Sequence, residues 1–360
     1  MKLATRACVR TETFDRLGFV PRLHADVTQA VGDVPTVRLS RIAGVCRRVR
    51  CYLKLESCNP SGSIKEKNAI VLVDQAERKG LLRPGGTIIG SSSGNFGIGL
   101  AVVGAARGYR VIIVIDAKTT LAFRRMLTAY GAELAEVRET DGSGSMQKAR
   151  IAHAMELSNS IAGSWYPCQH FNPNNPDAHE IYTARELAAT FQDTLDAVVV
   201  GVSTGGQLTG LARHLKPLYP NLKLIGVDVQ GSVIFAPSPS PYKMTGIGLS
   251  FRPPNLDYKA LHCAYVVPEN LAYSVCHGLA QKEGLLLGSS SGAIVAAGLH
   301  LAMSMPDGST IAMINPDRGD RYLETIYNLN WLCANDFVLI PPEHIDVAVE
   351  QLCHCEHLHG

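Results

Sequence analysis

The sequence predicts an α/β fold of parallel sheets with helices on both faces, and three features carry that prediction. Short apolar runs alternate with helix-period segments for most of the 360 residues, the pattern of βα units rather than of separate α and β domains. Several of these runs end in turns of glycine and serine that open into a helix, at the strand ends where such folds hold ligands. The length suits two domains, at roughly 100–200 residues each.

Taken in order, "RVRCYLKLE" (48–56) is a short strand-like run, and "KNAIVLVDQAERKG" (67–80) has helical periodicity and closes on Gly80. "TIIGSSSGNFGIGLAVVGAARGY" predicts a strand, a Gly/Ser turn and an apolar helix ending at Gly108, and "RVIIVID" (110–116) predicts a buried strand. "LAFRRMLTAYGA" then predicts a helix and "ELAEVR" a strand. The logic repeats later. "LDAVVVGVSTGG" reads as a strand and glycine turn, "QLTGLARHLKPLY" as a helix, "LKLIGVDV" as a strand, and "TIAMINPDRGDRYL" closes the series. The proline-rich "APSPSPY" (236–242) is too short for a linker and predicts a surface loop.

Composition narrows the functional classes. The chain is 46% hydrophobic and 18% charged with a formal net charge of +2, and it has no basic block of the kind that reads as a nucleic-acid stripe. No apolar run approaches the roughly 20 residues of a membrane span. The start, "MKLATRACVRTETFDRLG", has charges throughout and does not read as a secretory signal. Ten cysteines lack framework spacing, which favours reduced thiols in the cytoplasm. The tail "CHCEHLHG" gathers Cys353, His354, Cys355, His357 and His359, all metal-ligand types. Without a second ligand cluster it reads as a mobile terminus rather than a metal site.

Four stretches carry chemistry. In "NPSGSIKEK" (59–67) a rigid proline and small residues place Lys65 at a helix start. It is either a solvated charge or a covalent anchor. "VVVGVSTGGQLTG" (198–210) runs from an apolar strand through Ser203, Thr204, Gly205 and Gly206 into a helix. Inward backbone N–H groups and the helix N-terminus would make an anion cup, most often for phosphate; a tight turn without ligand fits equally. No GK[ST] follows and GxGxxG is absent, so neither a Walker A nor a dinucleotide loop is indicated. "GSSSGNFG" (90–97) offers Ser92, Ser93, Gly94 and Asn95 either as carboxylate donors or as helix caps. In "GSSSGA" (288–293), Ser290 can offer a hydroxyl to a ligand edge. Three such turns at strand ends converge on one rim.

Together, in this order and spacing over roughly residues 30–332, the lysine motif and the three turns resemble the fold type II pyridoxal-phosphate enzymes. Within them the chain is similar to the cysteine synthase/cystathionine β-synthase family. More narrowly, "QGSVIFAPSPSPYKMTGIGLS" and "PDRGDRYLETIYNLNWL" are similar to the N-(2-amino-2-carboxyethyl)-L-glutamate synthases, which make the 2,3-diaminopropionate precursor of siderophores such as staphyloferrin B. "DRGDRYL" occurs in some cysteine synthases as well, so "GSVIF" discriminates better.

The resemblance implies two open, twisted, mostly parallel sheets flanked by helices. It implies a smaller domain over 52–180, a larger one built from 25–51 plus 181–335, and a tail over 336–360. Lys65 matches the lysine that forms an imine with pyridoxal 5'-phosphate and then moves the α-proton. Asn95 matches the partner of the cofactor's phenolic oxygen. Ser203, Thr204, Gly205, Gly206 and Gln207 match the phosphate loop, although Gln207 stands where the family has Thr or Ser. Ser290 matches the neutral partner of the pyridine nitrogen, which leaves a weaker electron sink suited to elimination.

Ser92, Ser93 and Gly94 match the loop that grips the substrate α-carboxylate. Arg150 matches an arginine linked to substrate recognition, against the plain reading of a helix-surface charge. Gln169 lies in "CQHFNPNNPDAH", a segment nearer to ordinary cysteine synthases, and Phe171 replaces a tyrosine of the siderophore-type enzymes. His170 and His179 read as structural, and Glu66 and Lys67 as charge-preserving changes without a role. The implied reaction is β-replacement through an α-aminoacrylate. The donor is O-phospho-L-serine or O-acetyl-L-serine and the nucleophile L-glutamate or a similar amine. The alternatives are sulfide as nucleophile, which gives cysteine, and a catalytically idle cofactor-binding partner protein. A cytoplasmic homodimer acting on amino acids, with no nucleic-acid or membrane partner, completes the expectation.

Overall fold

The computed structural model describes residues 23–142, 144–353 and 355. Residues 1–22, where no signal peptide is expected, lie outside that set, as do His354, His357 and His359 of the tail. Strand β1 (Thr36–Leu39) is followed by β2 (Arg50–Leu55) and helix α1 (Lys65–Arg78). Next come β3 (Thr87–Ser91), α2 (Asn95–Arg107), β4 (Arg110–Asp116), α3 (Leu121–Ala129), β5 (Glu133–Val137), α4 (Met146–Ser160) and the short β6 (Ser164–Trp165). Helix α5 (Asn175–Ala178) runs through a π-helical segment, His179–Ala184, into α6 (Arg185–Phe191). The chain continues with β7 (Ala197–Gly201), α7 (Gly206–Leu218), β8 (Lys223–Val229), β9 (Cys263–Val267), α8 (Glu269–Gly278), α9 (Ser289–Ser304) and β10 (Thr310–Asn315). Helices α10 (Leu329–Ala334) and α11 (Ile345–Glu350) follow.

The strands form two sheets. One has six strands in the order β1-β2-β10-β7-β8-β9, and the other has four in the order β5-β4-β3-β6. Every pairing is parallel except β1 with β2. This is the α/β class expected. "RVIIVID" is buried at every position but its first, as a strand covered on both faces must be. Helix α9 is buried along almost its whole length, which explains why its sequence is apolar all round rather than amphipathic.

Two elements lie across or beyond the expected domain limits. Residue 52 falls inside β2, which pairs with β10 from Arg50↔Thr310 to Leu55↔Asn315. Residues 52–55 therefore belong to the larger sheet. Cys51, Leu53, Lys54 and Leu55 of this strand are buried between its neighbours β1 and β10. The segment beyond residue 336 is not simply a loose tail. Ile345 and Val349 of α11 are fully buried, and Val349 O accepts a hydrogen bond from His300 of α9.

Beneath the N-terminal end of α1 lies a buried ionic cluster. Lys67 Nζ is 2.7 Å from Glu56 Oε1 and 2.9 Å from Glu186 Oε1, and Lys54 Nζ is 2.5 Å from Glu186 Oε2. Burial pushes the Glu186 carboxyl up, but Lys67 and Lys54 outweigh it and hold the group below its usual range. The cluster ties α1 to β2 and α6, so Lys67 has the structural role that its sequence did not disclose. Lys67→Ala strands Glu56, which is fully buried, and should cost about 3–5 kcal/mol of stability. Urea denaturation monitored by far-UV circular dichroism measures the loss.

Candidate active site

The segment from Asn59 to Lys65 is fixed before any ligand is considered. Gly62 N donates to Asn59 O at 2.8 Å, closing a turn around Pro60 and Ser61. Glu66 Oε1 reaches back to accept from Ser61 N at 2.8 Å, satisfying a donor near the helix start as a capping glutamate does. Gly62 has φ +85, and a Cβ there would sit 2.7 Å from Arg321 Nη2. Only glycine combines that backbone with that neighbour. On the far side, Ile64 N donates to Pro316 O at 2.8 Å and Arg318 N to Gly62 O at 3.1 Å. The lysine turn is thereby pinned to the carboxyl end of β10.

Lys65 stands at the head of α1. Among the described residues no carboxylate pairs with it, in contrast to Lys67 two positions on. Burial pushes its pKa down from 10.5 to about 8. A solvated surface charge would show neither property. The lowered pKa raises the share of free amine at pH 7 to roughly a tenth, many times that of an ordinary lysine, the direction a nucleophilic lysine requires.

Asn95 opens α2 and is held from two directions. Its Nδ2 donates to Asp317 Oδ2 at 2.7 Å, and its Oδ1 accepts from Arg321 Nη1. The Tyr322 hydroxyl donates to the same Asp317 oxygen at 2.5 Å, and Arg321 Nη2 donates to Ser61 O at 2.6 Å. Burial raises the Asp317 pKa against the opposing pull of Arg321, Tyr322 and Asn95. Arg321 thus links the lysine turn to Asn95. Its motif "DRGDRYL" was visible in the sequence, but nothing there showed that the guanidinium is buried.

The glycine loop after β7 leads into α7, a helix long enough to present an N-terminal anion site. Gly205 has φ +83, and a Cβ on Gly206 would lie 1.8 Å from Asn175 Oδ1. Thr204 is buried and Ser203 half-buried. Gln207 Nε2 is buried without a partner. An orphaned amide donor of this kind ordinarily has an acceptor, and a phosphate oxygen would supply one. Asn175 also donates to Gln169 O at 2.8 Å and accepts from Asn68 of α1 at 3.3 Å. One side chain therefore ties together the lysine helix, the Gln169 segment and the glycine loop.

Ser290, fully buried in the first turn of α9, faces the backbone of Gly246, where a Cβ would stand 3.3 Å from its Oγ. Gly246 has φ +94, so a side chain at that position would be strained as well as close. Ser92 Oγ accepts from Gly94 N at 3.2 Å, so this hydroxyl shapes the 92–95 turn, while Ser93 and Gly94 are half-buried.

Arg150 differs from its plain reading. It is not a helix-surface charge but is buried, with Nε 2.7 Å from Asp116 Oδ2 at the carboxyl end of β4. Burial pulls its pKa down against the support of Asp116. His179 is fully buried, its Nδ1 shares a hydrogen bond with Thr183 Oγ1 at 3.3 Å, and its Nε2 has no partner. His170 is almost as buried, and its Nδ1 has no partner.

The residues fit pyridoxal phosphate: a free amine, a phosphate cup with an unpaired donor, an oriented amide at Asn95 and a neutral hydroxyl at Ser290. Two tests follow. Acylation of Lys65 in the apoprotein, read by peptide mass mapping, should rise with a midpoint near pH 8, because the reactive amine is the form that burial favours. A midpoint near 10.5 would refute the burial assigned here. Gly206→Ala should reduce cofactor retention at least tenfold on gel filtration, since the new Cβ collides with Asn175 and deforms the cup.

Comparison with known proteins agrees with this geometry. Residues 27–317 match the family model described as pyridoxal-phosphate dependent enzyme. The cysteine synthase of Staphylococcus aureus is 37% identical over 302 residues, covering 83% of this chain and 96% of that protein. The cystathionine beta-synthase of Apis mellifera is 36% identical over 336 residues, covering 91% of this chain and 66% of its own length. Among solved structures, an O-ureido-L-serine synthase superposes with a TM-score of 0.80 at 36% identity, covering 84% of this chain and 95% of that one. An O-acetylserine dependent cystathionine beta-synthase from Helicobacter pylori gives 0.79 at 32%, covering 86% and 100%. The chain belongs to the pyridoxal-phosphate dependent enzymes of fold type II, and within them to the cysteine synthase and cystathionine β-synthase type.

Proposed function

We propose that this enzyme performs β-replacement on O-phospho-L-serine or O-acetyl-L-serine with an amino-acid amine as nucleophile. L-Glutamate is the reference case, giving N-(2-amino-2-carboxyethyl)-L-glutamate for 2,3-diaminopropionate and siderophore or related biosynthesis. The observation that carries the β-replacement is the Lys65 amine, its pKa lowered by burial and unpaired with any carboxylate among the described residues, on a turn that Arg321 links to Asn95. The amine nucleophile is supported by the likeness of "QGSVIFAPSPSPYKMTGIGLS" and "PDRGDRYLETIYNLNWL" to the glutamate-using synthases.

Bound pyridoxal phosphate supplies the electron sink for breaking the Cα–H bond and expelling the β-substituent. In this reading Lys65 holds the cofactor and then carries the α-proton at Nζ. A pKa near 8 lets that atom take and return a proton close to neutral pH. Ser203, Thr204, Gly205, Gly206 and Gln207 hold the phosphate. Asn95 orients the ring, its amide fixed by Asp317 and Arg321. Ser290 gives the ring nitrogen a neutral partner, which keeps the sink weak and favours elimination over slower carbanion chemistry. Ser92, Ser93, Gly94 and Gln169 take the substrate carboxylate, and Arg150 stands behind them with Asp116. The leaving group departs as phosphate or acetate when the Cβ–O bond breaks. A Cβ–N bond replaces it, and the proton displaced from nitrogen goes to solvent.

A second reading, cysteine synthesis with sulfide, has support in the cysteine synthases that this chain resembles at 37% identity. The same first half-reaction serves both, so the test must identify product. The reading also takes the protein as a cytoplasmic homodimer, in keeping with the free thiols of the nine described cysteines. No helix among the described residues is long and apolar enough to cross a membrane.

Given O-phosphoserine or O-acetylserine with equimolar glutamate and sulfide, the enzyme should accumulate the glutamate adduct by mass spectrometry. Cysteine formed faster than the adduct would overturn the amine assignment. Lys65→Ala should abolish turnover and the absorbance of the lysine-bound cofactor. Retained activity would refute its role, and a wild-type protein inert toward both donors would favour an idle partner protein.

A further inference from the structure

Arg321 is an odd use of a buried cation. It is 5% exposed, yet its one ion pair among the described residues is a long one, with Nε 3.9 Å from Oδ1 of the exposed Asp320. A buried arginine that serves stability alone ordinarily meets a carboxylate at close range, fork to fork. Here the two outer nitrogens go to neutral oxygens instead: Nη1 donates to Asn95 Oδ1, and Nη2 to Ser61 O at 2.6 Å. Phe123 covers the face of the guanidinium, its ring centroid 5.7 Å away. Gly62, where a Cβ would stand 2.7 Å from Nη2, leaves the space that the guanidinium fills.

The Asn95 contact has a chemical sense. A carboxamide has an acceptor end and a donor end of nearly equal shape, so packing alone lets it stand either way round. An arginine carries donors only, so the end of the amide that faces Arg321 must be the oxygen. The nitrogen then faces Asp317, whose Oδ2 accepts from Asn95 Nδ2 at 2.7 Å and from the Tyr322 hydroxyl at 2.5 Å. The Tyr322 ring stands edge-on to Phe123 at 6.1 Å, so one aromatic side chain backs both ends of the clamp. The amide nitrogen carries two N–H groups, and the Asp317 contact uses one.

We propose that Arg321 is a positioning residue for the cofactor: through Asn95 Oδ1 it fixes the sense of the amide, so that the second N–H, and never the oxygen, meets the phenolic oxygen of pyridoxal phosphate. A reversed amide would set two acceptors against each other, and the ring would lose its orienting bond and gain a repulsion. In this role Arg321 acts through Asn95 rather than by contact with the cofactor. The same guanidinium holds the lysine turn at Ser61 O, so one side chain steadies both the anchor of the ring and the donor that orients it. The inference deepens the function proposed above and rests on it for Asn95 as the partner of the phenolic oxygen.

The test is a double-mutant comparison on the full-length protein, stripped of cofactor with hydroxylamine and titrated with pyridoxal phosphate. Asn95→Ala should weaken cofactor binding about tenfold, the loss of one hydrogen bond to a charged oxygen. Arg321→Ala should weaken binding about thirtyfold in the wild type but only about threefold in the Asn95→Ala protein, because the lysine turn is disturbed in both and the amide is misdirected in one. The absorbance maximum of the lysine-bound cofactor should move in the same direction in the two single variants and no further in the double. A merely structural arginine would cost the same factor in both backgrounds and leave the maximum in place; either result overturns the inference while Asn95 keeps its role. Asn95→Ala that binds the cofactor as tightly as the wild type removes the reading of Asn95 itself, and the inference with it. Should Arg321→Ala fail to fold, Arg321→Lys carries the same comparison, since one ammonium cannot hold Ser61 O and Asn95 Oδ1 in fixed directions.

Discussion

Arg321 is the buried cation on which the geometry of this site depends. One guanidinium nitrogen holds Ser61 O of the lysine turn and another holds Asn95 Oδ1 at the start of α2. Its face lies 5.7 Å over the ring of Phe123 in α3, a favourable setting for a desolvated cation. Asp317 supplies the matching carboxylate and takes the other end of the Asn95 amide. Elements of both sheets therefore meet at one polar network under the cleft. Arginine suits the position because its planar fork can hold two acceptors in fixed directions, which a lysine cannot. Buried ionic groups contribute little net stability, but removing one partner is costly. Their value here is orientation of the lysine turn relative to Asn95.

Parallel topology explains why the functional turns converge. Within the six-stranded sheet the parallel strands end on the same side, so the turns after β7 and β10 open toward one rim, and the turn after β3 of the other sheet is tied to it through Asn95 and Asp317. The lysine turn comes from β2, the neighbour of β10, and the registry Asn315↔Leu55 brings its start level with Pro316 and Asp317. The Lys65 amine is thus delivered by strand order, while its final direction is set by Gly62 and Glu66. Asn175 performs the corresponding service for the glycine loop and the Gln169 segment.

Much of this was legible in the sequence. The β/α alternation gave the class, and two of the three small-residue turns follow strands as expected, β3 and β7, whereas the 288–293 turn opens α9 with no strand before it. Lys65, Asn95 and the glycine loop were recognisable from order and spacing. What stayed hidden depends on long-range pairing. Lys67 and Glu66 looked like interchangeable charges, yet one neutralises Glu56 and Glu186 and the other caps the lysine turn. Arg150 looked like either a surface charge or a substrate fork, because a helix position does not reveal that Asp116 lies opposite. The boundary at residue 52 cut β2 because its partner, β10, lies some 260 positions away in sequence. His170 looked structural, and only the structure shows its Nδ1 without a partner.

Lys65 and Lys67 make the governing contrast. They lie two residues apart on one helix, so their side chains leave it in different directions. Lys67 points into a cluster whose carboxylates it meets at 2.7 and 2.9 Å, and these contacts hold α1 in place. Lys65 stands where burial lowers its pKa and no carboxylate among the described residues restores it, so the balance shifts toward the neutral amine. The other deeply buried cations near the site are likewise answered: Lys54 by Glu186, Arg150 by Asp116, and Arg321 by Asp317 through Coulombic attraction. Had any of these carboxylates been within reach of Lys65, its pKa would have risen and its nucleophilicity would have been lost. Internal neutralisation of the surrounding cations is therefore part of what makes one lysine reactive.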